Sequence, residues 1–418
     1  MVKRLTLILL AAVFAVLSSA ARDDTMTGRF DERIRTLRVS PDGNPYGPPV
    51  LVIGSQDRLV FSFDELAEDR SYFRYRIIHC TADWRRSDLV GSEYLPGFNE
   101  APVDDYELSR STTVHYVNYR IVIPNDEMAP LISGNYLLQV YREDDPERTV
   151  AQWRFMVSEQ TAPVSATLTS RTDRDYNDRH QQLQLTVDAE GLDGIDIFND
   201  LIVVVSQNGR CDNETALRHP LRLSGKKAIY EHQPELIFEA GNEYRRFETV
   251  SVNNPSMRVA GVTYSRPYYY HHILETDASR ADAPYSYDED QDGRFVVREY
   301  NSTESDVEAD YTVVHFSLDY PETPGMMIFV DGDLTDRRFD DSALMKYNRE
   351  TGRYETAMLL KQGAYNYQYL AVPPGARRGY TSYIEGDKYQ TVNRYTVRVY
   401  VREPHARYDR LVGVAVIK

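Results

Sequence analysis

The chain has 418 residues, enough for two to four domains of ordinary size, each with its own core. Lys and Arg number 48 against 64 Asp and Glu, and the net charge of −16 argues against nucleic acid or an anionic membrane surface as partner; its simplest use is solubility. Tyrosine is the compositional outlier at 32 residues, in alternating runs such as Tyr365-Asn-Tyr367-Gln-Tyr369, and points first to half-buried strands with a wet tip and second to an aromatic sugar platform.

Residues 1–20 read as a cleaved signal peptide. Lys3 and Arg4 make a basic n-region, Leu5 to Leu17 an apolar h-region, and Ser18-Ser19-Ala20 offers small residues for cleavage. The apolar stretch is short for a membrane span, no second candidate follows, and no cysteine near the cleavage point invites a lipid. The expected product is exported to the periplasm or beyond, with no direct membrane insertion. Its two cysteines, Cys80 and Cys211, could form a disulfide in an oxidising compartment or stand as two buried thiols in different domains.

From Phe30 to about Ser158 strand follows strand. Val50 to Ile53 and Leu59 to Phe63 flank a polar turn at Gly54 to Asp57, and Tyr72 to Ile78 alternates with the period of a strand that has one buried face. His79 and Cys80 come next. Neighbours in a strand face opposite sides, so a catalytic pair built from them would be badly aimed, and core packing is the better reading. Gly134 to Tyr141 and Thr149 to Val157 read as the last hairpin of a sandwich, and Glu159 to Pro163 as a polar, proline-stopped boundary. Residues 21–160 are therefore expected to form an N-terminal β-sandwich.

Residues 161–300 are expected to form a middle β-rich domain. Leu183 to Val187 alternates, Leu201 to Val205 is a buried run, and Gln207 to Arg210 is a hairpin-type turn. Five prolines then punctuate short strands between Pro220 and Pro284. Tyr268-Tyr-Tyr-His271-His272 places two histidines side by side, but a zinc site needs further ligands that the neighbouring sequence lacks, and strand residues are the plainer reading. Asp288, Asp290, Asp292, Gly293 and Glu299 fit a calcium-loop template at every fixed position. Pro284 upstream and the strand-like Phe295 to Tyr300 downstream do not suit the helices of an EF-hand, so an acidic β-turn stands beside calcium as the alternative.

After an acidic linker at 301–309, residues 301–418 are expected to form a C-terminal domain of early-set immunoglobulin type. Tyr311 to Leu318, Met326 to Val330 and Gly363 to Leu370 supply its strands, and Leu411 to Ile417 closes it as a run buried on both sides. No G-x-S-x-G elbow, H-E-x-x-H, phosphate-binding G-x-x-x-x-G-K-[ST] or C-x-x-C occurs, so neither a catalytic set nor a cofactor is called for.

Several widely spaced words agree in order with one family. Glu385-Gly386-Asp387, Tyr389-Gln390-Thr391-x-Asn393-x-Tyr395, Arg407 to Gly413 and the earlier His79-Cys80, Trp84, Gly97-Phe98 resemble the plug protein family of the Bacteroidetes type IX secretion system, over about Phe30 to Lys418. The resemblance implies an all-β chain of tandem immunoglobulin-like β-sandwiches that is not an enzyme. It further implies that the protein docks on the outer-membrane translocon barrel, with other translocon subunits as possible partners, and seals its periplasmic opening. The competing expectation is a carbohydrate-binding accessory protein that uses the tyrosine-rich strands as a stacking face; exported cargo is a third.

Overall fold

The computed structural model describes residues 25–265 and 269–418. The expected signal peptide at 1–20, and Pro267 and Tyr268 of the tyrosine-rich run, lie outside the described residues. Among the described residues the molecule is almost entirely β, and its strands form paired or curled sheets around three large apolar cores, with two smaller apolar clusters beside them.

Alternation builds the N-terminal sandwich. Phe73–Cys80 buries every second residue, and it lies between Gly134–Arg142 and Ala101–Pro102 in a six-stranded sheet that also holds Asp145–Ser158, Gly28–Arg29 and Val50–Val52. The facing sheet has the order Ile34–Pro41, Leu59–Glu65, Val117–Ile123, Asp105–Leu108. Between the sheets, Phe61 meets Trp153 and Phe155 edge-on at 5.9 and 5.4 Å, and Phe63 stacks on Tyr119 at 5.0 Å. Gly134–Arg142 and Asp145–Ser158 are the expected antiparallel hairpin. The turn at Gly54 to Asp57, in contrast, carries the chain from one sheet to the other, because Val50–Val52 pairs in parallel with Asp145–Ser158.

The end of the chain departs from expectation. Tyr395–Val401 and Arg410–Ile417 do form a hairpin, but it joins Leu201–Gln207, with Leu201 opposite Val401 and Gln207 opposite Tyr395. One core holds Leu183, Leu185, Val203 and Val205 together with Tyr395, Val397 and Val399. The terminal strand therefore does not close a domain that begins at 301. Nor is it covered along both faces: it is an edge strand whose far half is partly exposed. The expected boundary at 300 falls within a sheet, since Phe295–Val297 pairs with Gly363–Val372.

On these pairings we propose three modules: 28–158, then 164–239 completed by 395–417, and 245–372 inserted between those two parts. The inserted module is a ten-stranded sheet that curls on itself, so that Phe247, Leu274, Phe316, Ile328 and Tyr367 from distant strands share one core. Tyr365, Tyr367 and Tyr369 are all buried there, Tyr365 stacked on Phe247 at 5.1 Å, which removes them as an exposed sugar platform.

Both expected linkers are structured. The backbone N–H groups of Glu159 and Thr161 donate to the carbonyls of Leu411 and Val412, so this boundary lies along the terminal strand. Within 301–309, Ser305–Glu308 is a short helix that buries Val307. Among the described residues no helix is long and apolar enough to cross a membrane.

Candidate functional site

The residues that the sequence singles out do not converge on a reactive centre. His79 is buried with Nδ1 3.0 Å from Ser87 Oγ and Nε2 3.2 Å from the Ser133 carbonyl, and burial lowers its pKa despite that second bond. Cys80 points the other way, among Trp84, Leu137, Ile202, Val204 and Tyr400, and burial pushes its thiol up to about 12. A neutral imidazole on one face and a protonated thiol on the other are packing residues. The disulfide left open by the sequence is not formed, for Cys80 and Cys211 are both free. Cys211 is reachable by a water-sized molecule although protein surrounds it, because it lies on the wall of a cavity between modules; burial raises its thiol pKa as well.

The acidic loop is a knot in which the four carboxylates of the calcium template each have a partner within the protein. Asp288 pairs with Arg246 at 2.5 Å. Asp290 accepts the backbone N–H groups of Asp292, at 2.8 Å, and Tyr244. Asp292 pairs with Arg394 at 3.0 Å, while Glu299 turns back to the N–H of Asn301 at 2.7 Å. Gly293 has φ +83°, and a Cβ there would lie 2.7 Å from Arg337 Nη2 and Tyr244 Cε1. Burial, with Asp292 and Glu243 adding to it, pushes Asp290 up to about 7. Among the described residues no group of three or more His, Cys, Asp or Glu could hold a metal ion. The adjacent histidines are likewise spoken for: His271 Nδ1 lies 2.8 Å from His315 Nε2, and His272 bridges Thr312 Oγ1 and the Ser251 carbonyl at 3.0 Å each.

What the structure concentrates instead is buried polar contact between modules. Between the N-terminal and inserted modules, Lys361 Nζ donates to Asp64 Oδ2 and to the Asp306 carbonyl at 2.6 Å each, and lies 4.0 Å from the centre of the Tyr116 ring. Tyr311 and Asn118 donate to the same carboxylate. Lys361 and Asp64 are both 0% exposed; burial lowers the lysine pKa, and Asp64 opposes that shift. Between the N-terminal and middle modules, Arg410 holds Glu159 at 2.8 Å, Asp409 accepts the Ala82 N–H at 2.7 Å, and Tyr400 donates to Asn135 at 2.7 Å.

The third junction explains a sequence word. Glu385 receives Arg245 at 3.0 Å and Arg280 at 2.5 Å; burial alone would raise its pKa, but the two guanidiniums outweigh it and hold the carboxyl at about 2. Gly386 has φ +77° and passes so close to Ala281 that a Cβ would sit 2.9 Å from its backbone. Asp387 accepts the Thr381 hydroxyl at 2.7 Å and the Gly241 N–H at 3.1 Å. Downstream, Thr391 donates to the Gly241 carbonyl, and Asn393 to those of Ala240 and, through its amide, to Gln181 Oε1. The words singled out in the sequence are thus largely staples between segments. The roles of Asp64, Lys361 and Tyr311 were missed; each stands at or near the end of a strand, and nothing local in the sequence marks their meeting.

With this geometry in hand, comparison with known proteins adds two findings. The family model for the type 9 secretion system plug protein 1st domain matches residues 34–159, nearly the whole N-terminal sandwich. A crystal structure of a hypothetical protein from Parabacteroides merdae ATCC 43184 is 39% identical, covers 94% of this chain and 99% of its own, and superposes with a TM-score of 0.92. Two further solved structures match weakly: the alkylpurine DNA glycosylase AlkC of Pseudomonas fluorescens (12% identity, 30% of each chain, TM-score 0.17) and the collagen adhesin of S. aureus (7% identity, 92% of this chain and 94% of its own, TM-score 0.11). No curated protein matches.

Proposed function

From the premise that this chain belongs to the type 9 secretion system plug protein family, we propose that it works in the periplasm as a rigid occluder, docked on the outer-membrane translocon barrel and closing its periplasmic mouth. One observation carries the reading: buried polar contacts tie the modules and the segments between them, Lys361 to Asp64, Tyr400 to Asn135 and Arg245 to Glu385. A body of this length is on the order of 50 Å across if compact, the scale of an opening that passes folded cargo.

Occlusion asks for stiffness and fit, not chemistry. A partner that arrives already ordered loses little conformational entropy on docking, so more of the contact energy appears as affinity. A body tied together in this way would also let release be all-or-none, with cargo or another barrel partner displacing the whole of it at once.

The test joins two measurements. A tagged protein should copurify the translocon barrel from outer membranes, and a strain lacking it should take up large antibiotics that the intact envelope excludes. A deletion strain that stays sealed, with the tagged protein recovered alone, would overturn the reading.

A further inference from the structure

Three of the nine histidines meet on one seam of the inserted module. The hairpin of Val259–Ser265 and Tyr269–Leu274 lies at one end of the curled sheet, and a short parallel pairing joins it to the next strand, with Tyr270 to Ile273 running along Thr312 to His315. A histidine clasps that pairing on each face. On one face His271 Nδ1 and His315 Nε2 are 2.8 Å apart. Only one proton fits between two ring nitrogens at that distance, so the pair can carry one positive charge, as an imidazolium bonded to an imidazole, but not two. On the other face His272 is buried together with Thr312. Its Nε2 must hold the proton given to the Ser251 carbonyl, which leaves Nδ1 to accept from the Thr312 hydroxyl. A second ring proton would set a donor against that hydroxyl and bury a cation without a counter-ion.

The neighbours offer these rings no compensating charge. In register, His271 stands between Thr263 and Val313, His272 between Val262 and Val314, and His315 between Ile273 and Ala357. The ionisable side chains next along these strands are Tyr264, Tyr269, Tyr270 and Glu355, and Glu355 is taken up by Asn348 and Thr351. Arg35 stands by Tyr269, and the segment carrying Ser251 brings no ionisable group from Thr249 to Asn253. Burial and then His271 lower the His315 pKa; burial lowers that of His272 against its bond to Ser251. Among the described residues no carboxylate acts on either.

We propose that this seam is an acid-sensitive latch, closed at neutral pH and released in mild acid while the rest of the sheet holds. Its sign follows from proton uptake. Opened, each ring charges near its ordinary 6.5; closed, His272 stays neutral and the pair keeps to one charge, so opening takes up two protons. The opening constant therefore rises by up to about a hundredfold per pH unit as pH falls below that ordinary value, and levels off below the closed-state values. Tyr311, which donates to Asp64, begins the strand that is freed, so release loosens the hold of the inserted module on the N-terminal one. The inference does not rest on the occlusion reading.

Hydrogen exchange of the full protein, followed by mass spectrometry from about pH 7.5 to about pH 5 and corrected for intrinsic rates, reads the latch strand by strand. Protection in Tyr269–Leu274 and Tyr311–Asp319 should fall by about tenfold or more over one pH unit below about 6.5, while Leu201–Gln207 and Tyr395–Val401 keep theirs. Glu385 stays charged throughout this window. His272→Gln combined with His315→Gln should abolish the pH dependence, because a glutamine amide can donate to Ser251 and accept from Thr312 without ever gaining a charge. Protection indifferent to pH in the natural protein, a loss spread evenly over every strand, or an unchanged pH dependence in the folded double variant would each overturn the proposal. Should circular dichroism show the double variant unfolded, His315→Gln alone decides: it touches only the half-exposed pair and should cut the rise from about a hundredfold to about tenfold per pH unit, whereas an unchanged slope would overturn the latch.

Discussion

Lys361 and Asp64 face each other with no exposure at all, and Tyr311, Asn118 and the Asp306 carbonyl complete their shells. Removing one partner strands the other charge out of water, so Lys361→Ala should cost about 3–5 kcal/mol. Pairing it with Asp64→Asn should cost less than the two changes summed, as denaturant unfolding of the double-mutant cycle would read out. Glu385 makes a different, pH-dependent contribution. Its carboxyl titrates at about 2 in the folded protein against an ordinary 4.5, so its stabilisation is full above the ordinary value and fades as pH falls towards the folded one. The effect is about 3 kcal/mol at most. Glu385→Gln should therefore be less stable at neutral pH and show a flatter loss of stability below about pH 4.5 in a pH series of unfolding curves. Glu385 was legible as part of a word, though not in its role. Lys361 and Asp64 were not legible, because their meeting spans 297 positions and nothing local announces it.

Local periodicity specifies which face of a strand is buried and leaves its neighbour open. That is why Phe73–Cys80 and the hairpin of Gly134–Arg142 with Asp145–Ser158 could be read from the sequence, whereas the place of Tyr395–Val401 could not. Its valines fit any apolar face, and the one they take belongs to Leu201–Gln207, formed before a whole inserted module. The same blindness made the segment from Glu159 to Pro163 look like a free boundary, although it runs bonded along Arg410–Ile417. Gly413 is what permits that approach: a Cβ there would lie 2.2 Å from the Ala162 carbonyl oxygen. Gly413→Ala should push the segment off the terminal strand and cost about 1–3 kcal/mol by denaturant unfolding. Gly97→Ala is the control, since a Cβ at that position meets nothing within 4 Å and should leave stability nearly unchanged.

A block held by its apolar cores and its buried junctions can spare surface residues for docking, and one such residue stands out. Phe98 is 91% exposed, above every other large hydrophobic among the described residues, and Val90 and Leu131, at 60% and 51%, lie around the same short helix, Gly91–Tyr94. Leu131 donates its N–H to the Tyr94 carbonyl, and a Cβ on Gly91 would be 3.3 Å from Asn99, so these positions crowd one end of the N-terminal sandwich. An aromatic this exposed does nothing for the fold, whereas aromatic anchors dominate the energy of many interfaces. If the occluder docks through this end, Phe98→Ser should weaken its hold on the translocon by about 2 kcal/mol, or roughly thirtyfold. The unfolding midpoint should not move, because the side chain leaves no cavity behind. Quantitative copurification of the barrel from outer membranes would measure the loss. Undiminished recovery with the variant would place the docking contact elsewhere on the molecule, and a lowered midpoint would mean that Phe98 packs in a way its exposure denies.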